Sequence, residues 1–153
     1  MPEAYLPYLA AYHSWANLRL LEFLTAEPAL LHATADGVFG DALETMNHLL
    51  SAEASYLNRL RDGPQLAEPD PLALPELTRL AERLARDLAE AVTTLPEPSR
   101  LLQRRYGRVR AEVVLAQLFA HGTEHRTQVC TIAGAHGKEP PELSSWRFGG
   151  FVP

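Results

Sequence analysis

His121 and His125 stand four residues apart. On an α-helix that spacing turns both imidazoles to one face, with Cβ atoms about 5–6 Å apart. Two imidazoles so placed can hold one divalent cation from a single side. They could also simply hydrogen-bond into a core or lie at its rim. Two observations weigh toward the metal. Both histidines interrupt the seam Val114, Leu118, His121, His125, Gln128 and Ile132, whose steps of four and three residues keep one helical face. Burying two imidazoles in such a seam is costly unless each is paired or metal-bound. A third histidine, His48, falls in the middle of another helical segment and would complete the three-ligand, open-position arrangement of catalytic metal sites. It stands beside Leu49, off the main apolar stripe, so periodicity leaves its direction open.

Rival chemistries fail on residue identity. HExxH is absent, because Gly122 follows His121. A di-iron carboxylate bundle needs Glu three residues before His. Ala10, Thr45, Leu118 and Gly122 precede His13, His48, His121 and His125 by three. The single cysteine, Cys130, excludes an intramolecular disulfide and a Cys-based zinc cluster. It lies about 140° around the helix from His125 and reads as a small buried apolar residue. No Ser/His/Asp set is present, so no catalytic side chain is assigned and the metal is the expected reactive centre.

Further candidates follow from position. Gln128, one turn beyond His125 on the same seam, could orient a ligand or substrate. His13 and Asn17 lie on the inward seam of the first helical segment. For His13 a core-rim histidine bonded to a backbone carbonyl is the preferred reading over direct ligation. Trp15, off that seam, reads as packing or interface. Glu124 points roughly 100° away from His125, as expected of an i,i+4 surface ion pair. His32 and His136 fall in loops and read as solvated.

The elements that must position these residues are four helices, over about Pro2–Leu24, Asp41–Arg61, Pro75–Leu95 and Ala111–Ala135. The first carries Leu6, Leu9, His13, Ala16, Leu20 and Phe23 at helical spacing. Asp41 with Glu44 makes a capping box for the second, whose stripe is Leu43, Met46, Leu50, Leu57 and Leu60. Leu77, Leu80, Leu84, Leu88 and Ala91 form the third stripe. No strand-length alternating segment competes, and Tyr106-Gly107 reads as a turn in the basic stretch Arg100–Arg110. The expected fold is an all-α four-helix bundle, one domain over residues 1–153. The proline-rich linker 63–74 can span the bundle, making helices two and three parallel, or close a hairpin between them. Residues 137–153, rich in Pro and Gly with Trp146, Phe148 and Phe151, are expected to pack over the bundle.

Lys and Arg number 14 against 19 Asp and Glu, a net charge of −5. A net-acidic chain without a reading motif is not expected to bind nucleic acid. No apolar run approaches the ~20 residues of a membrane helix. No signal peptide is seen, and a cytoplasmic protein is expected. The dense basic cluster Arg100, Arg104, Arg105, Arg108 and Arg110 reads either as solvated surface or as a site for an anionic cosubstrate, with Arg104 and Arg105 as the candidates.

Three segments carry a resemblance. Tyr12-His13-Ser14-Trp15-Ala16-Asn17-Leu18-Arg19-Leu20-Leu21 resembles the Y-x-x-W-A-N-x-x-L-L opening of DinB/YfiT-like proteins. Asn47-His48-Leu49-Leu50-Ser51-Ala52-Glu53 resembles their N/H-H-L-L-x-A-E motif. His121 through Val129 resembles their closing H-x-x-x-H-R-x-Q-V/I signature. The matches run in order and span nearly the whole chain. The resemblance implies an up-down-down-up bundle with a long crossover between helices two and three. It also implies a divalent metal, often zinc or nickel, with His48, His121 and His125 as ligands. The wider family includes bacillithiol transferases and mycothiol-dependent enzymes, so a thiol S-transferase acting on a small thiol and an electrophile is implied. A metal-dependent hydrolase and a non-catalytic, stress-associated metal-binding bundle are the alternatives; the family's founding name refers to induction by DNA damage. Family members are often dimers, and a homodimer is expected, with Trp15 and the aromatic tail as possible interface residues.

Overall fold

A computed structural model describes residues 2–64, 66–67, 69–94, 97–104 and 107–150, without the side chains of residues 2–4 and 104. Its long helices are α1 (Pro2–Ala26), α2 (Ala42–Leu60), α3 (Leu74–Thr94) and α4 (Ala111–Ala135); a short α5 (Ser145–Gly149) follows. The capping box forms: the Asp41 carboxylate accepts from the Glu44 amide at 2.7 Å, and Glu44 Oε2 accepts from the Asp41 amide at 3.0 Å. Buried leucines from all four long helices form the core, among them Leu20, Leu24, Leu50, Leu77, Leu88 and Leu118. On α1 the buried line runs through Ala10 rather than Leu9, which is exposed.

The crossover is long and α2 and α3 are parallel. Near the start of α2 the Asn47 side chain donates to the Leu72 carbonyl and accepts from the Leu72 amide, just ahead of α3. Near its end, Arg61 donates to Asp87 and Glu90 late in α3. The linker therefore runs the length of α2 before α3 begins. α4 runs antiparallel to α2 and parallel to α1: Lys138, just beyond α4, pairs with Glu27, just beyond α1. The up-down-down-up order follows.

One element departs from expectation. β1 (Leu101–Arg104) and β2 (Gly107–Arg110) pair as an antiparallel hairpin, Leu101 opposite Arg110 and Arg104 opposite Gly107. Four-residue strands are too short for alternation to stand out, and Leu102 is their one fully buried side chain among the described residues. Gly107 adopts φ +134°, open to glycine, where the chain turns. Tyr106 lies outside the described residues.

The tail straps across the first half of α1. Tyr12 Oη donates to the Leu143 carbonyl at 2.8 Å, and the Phe148 ring packs against Tyr8, Tyr12 and Trp15. Trp146 stays exposed, and Phe151 lies outside the described residues.

Candidate metal centre

α2 and α4 pack against each other along the seam that carries the histidines. His48 faces inward, which periodicity alone left open. Its Nε2 lies 3.2 Å from Nε2 of His121, which lies 3.1 Å from Nε2 of His125. The candidate ligand atoms all fall within 4.8 Å of one another. Metal–nitrogen bonds of roughly 2.0–2.1 Å in a tetrahedron place ligand nitrogens roughly 3.3–3.4 Å apart, so the constellation fits one divalent ion with small ring movements. His125 is buried, and His48 and His121 are half-buried, so the cluster opens on one side.

The donor chemistry fits as well. A metal takes the lone pair of a neutral imidazole. Burial, reinforced by the neighbouring His125, His48 and His13, lowers the His121 pKa to about 4, so its ring is uncharged at neutral pH. Gln128 Oε1 lies 2.8 Å from His125 Nδ1; accepting that proton leaves the His125 Nε2 lone pair for the cluster.

His13 and Asn17 belong to a neighbouring buried network. His13 Nε2 donates to Glu53 Oε2 at 3.1 Å, and Asn17 Nδ2 donates to the same oxygen at 3.0 Å. Arg126 Nη1 donates to Asn17 Oδ1 at 2.7 Å and to His13 Nδ1 at 3.3 Å. His13 is therefore neither a metal ligand in this cluster nor bonded to a backbone carbonyl: the buried Glu53 carboxylate accepts its hydrogen bond. Burial lowers the Arg126 pKa, and the nearby Tyr12 and Glu53 oppose that shift. Sequence reasoning gave Glu53 and Arg126 no role. The signal available was a carboxylate and a guanidinium on the inward faces of two packed helices, where each needs a partner.

Phe39 was also missed. Its ring stacks on His48 at 4.5 Å between centroids and meets His125 edge-on at 5.6 Å. It sits in the loop before α2, where no periodicity marks it. Tyr56 meets His121 edge-on from one side.

The other candidates separate from the cluster. Cys130 is half-buried, and burial raises its thiol pKa, with Arg126 opposing. Glu124 is exposed and forms no ion pair among the described residues. His32 is exposed beside the Asp41 carboxylate, and His136 is exposed beside the Thr34 carbonyl. In the basic cluster, Arg100 is tied to Asp62 and to the Leu60 carbonyl, and Arg110 pairs with Glu112. Arg59 donates to the Gln103 carbonyl, which places the hairpin at the end of α2, roughly 17 Å along the helix from His48. Arg105 and the side chain of Arg104 lie outside the described residues.

Among the described residues no helix is long and apolar enough to cross a membrane. No curated protein matches the chain significantly. The model of the DinB family matches residues 1–148. With three histidines brought together by α2 and α4 of a helical bundle, and that match covering nearly the whole sequence, the chain belongs to the DinB family.

Proposed function

We propose that this protein is a metal-dependent thiol S-transferase, of the kind the resemblance to bacillithiol transferases suggests, with His48, His121 and His125 holding a divalent ion such as zinc or nickel. The convergence of three Nε2 atoms on one point carries the reading. Such an ion, when bound, supplies a concentrated positive charge that acidifies a thiol or water beside it.

The chain's own residues supply the rest. His121 remains uncharged and able to donate its lone pair. Gln128 fixes the His125 ring by accepting its Nδ1 proton. Phe39 covers one face of His48 and keeps water from it. His13 and Asn17, bonded to Glu53 and Arg126, hold α1 against the two ligand-bearing helices. With a chlorinated aromatic electrophile, the thiol sulfur bonds to the ring carbon. Chloride leaves with the bonding pair, and the thiol proton passes to solvent.

The protein acts in the cytoplasm, as a homodimer. The exposed Tyr5 and Tyr8 of α1 and Trp146 of the tail are the surface for a second copy. Trp15 is half-buried beneath Phe148 and contributes less directly. An acidic thiol would draw on Arg104 and Arg105; their substitution should then raise its KM and leave that of a neutral thiol unchanged.

The test is elemental analysis of purified protein, followed by conjugation assays with bacillithiol, cysteine and water against a chlorinated aromatic and an ester. One equivalent of metal and metal-dependent conjugation are expected. Ester hydrolysis without conjugation would make the protein a hydrolase. Full metal retention in the His121→Ala/His125→Ala double variant would overturn the site.

A further inference from the structure

We infer that a groove between α2 and the crossover binds the electrophile of the proposed transfer, and that this electrophile is small, flat and uncharged. The inference rests on the transferase reading for its chemical role, but its binding claim stands on the groove. The floor is one face of α2, where Glu44, Asn47, His48, Ser51 and Ser55 follow at steps of three, one, three and four residues. Pro69 and Pro71 of the crossover make the opposite wall, with Leu66 and Ala67 further along. Phe39 closes the end beside the histidine cluster. The space has two lobes of about 280 and 210 Å³ that share His48, Ser51 and Pro69. A cavity of roughly 150 Å³ is enough for benzene, so each lobe admits about one ring with its substituents.

Three of the polar side chains on the floor, Glu44, Asn47 and Ser51, are turned to the chain itself. Ser51 Oγ donates to the His48 carbonyl at 3.2 Å. The Asn47 amide donates to the Leu43 and Leu72 carbonyls and accepts from the Leu72 amide. Glu44 accepts in the capping box. Among the described residues of the lining there is no lysine or arginine, and Glu44 adds a negative charge. In metal-free protein a carboxylate entering here would lose water and meet no cation. A flat neutral molecule would gain contact with proline rings and with Phe39, whose ring is 54% exposed while it stacks on His48. The groove therefore selects by shape and stacking, and its shared wall with His48 brings the bound ring to the edge of the cluster.

The test uses the full-length protein, as purified and after loading with zinc, titrated with 4-nitrobenzyl alcohol and with 4-nitrobenzoate while amide chemical shifts are followed by NMR. The alcohol is expected to saturate and to shift Asn47, Ser51 and Ala67; the comparison with the benzoate is made on protein stripped of metal, where the benzoate should bind at least tenfold more weakly. Phe39→Ala should weaken the alcohol at least tenfold, and Ala67→Trp, which fills the groove from its exposed wall, should abolish its binding. Equal binding of the benzoate, shifts confined to other residues, or unchanged affinity in both variants would overturn the inference. Conjugation and zinc content are measured on the same samples. Binding of the expected kind in zinc-loaded protein that conjugates no thiol upholds the groove and overturns the transferase reading alone. Conjugation without these shifts does the reverse.

Discussion

The side-chain oxygen of Gln128 lies 2.8 Å from Nδ1 of His125, one helical turn away on the same face of α4. It fixes which nitrogen of His125 faces the cluster. Gln128→Ala should lower metal affinity about 10–100-fold, as loss of a partner behind a ligand does. The melting temperature of the metal-free protein should barely move. Metal titration against a competing chelator checks the first, and a thermal melt the second.

Gly122 sits between the two histidines because His13 fills its place: a Cβ there would come within 2.3 Å of His13 Cε1. His13 is buried and held by Glu53, so it cannot move aside freely. Gly122→Ala should therefore destabilise the fold: overpacking of about 1–3 kcal/mol outweighs the roughly 1 kcal/mol gained in helix propensity. Gly134→Ala on the same helix, where nothing lies within 4 Å of the added methyl, should stabilise by about 0.5–1 kcal/mol. Urea denaturation of the two variants should give shifts of opposite sign.

Glu53 accepts hydrogen bonds from His13 and Asn17 in a fully buried network close to Arg126. Removing it strands a buried guanidinium and an imidazole N–H. Glu53→Ala should cost about 3–5 kcal/mol of stability, and Glu53→Gln, which keeps an acceptor oxygen, less. A Glu53→Gln loss equal to that of alanine would show that the charge, rather than hydrogen bonding or volume, carries the whole effect.

His121 is held near pKa 4 in the folded protein, below the ordinary value of 6.5, mainly by burial. Below about pH 6.5 the unfolded chain binds a proton that the folded chain resists, so stability falls as the pH falls. The contribution is complete above about 6.5 and is lost progressively toward about 4. Urea midpoints of metal-free protein at pH 7, 5.5 and 4.5 should fall in that order. His121→Gln should flatten the dependence.

Cys130 has its thiol pKa raised by burial, so little thiolate is present near neutral pH. Cys130→Ala should retain thiol conjugation within about twofold, because the reacting sulfur belongs to the cosubstrate. Loss of conjugation with unchanged metal content would instead make Cys130 the nucleophile.

Much of this was legible in residue spacing. The seam from Val114 to Ile132 and the Asp41–Glu44 cap define α4 and the start of α2, since both signals are local and periodic. His48 shows where local signals stop. Its direction depends on how α2 rotates against α4, which is set by packing far along the chain. Phe39 escaped because a loop carries no period. The network of His13, Asn17, Glu53 and Arg126 escaped because motif residues read singly do not reveal which of them share a buried site. The hairpin escaped because four-residue strands look like any short polar–apolar stretch.

The long crossover also has a consequence for the order of events during synthesis. His48 and its partner His121 are 73 residues apart, with the crossover, α3 and the hairpin between them. A nascent chain that has just completed α2 carries only one of the three imidazoles, and it must wait for α4 before the cluster exists. At the proposed site, capture of a metal would therefore follow the finished bundle rather than aid its first half. Chains stalled or cleaved within the hairpin should emerge without metal however much of the ion surrounds them.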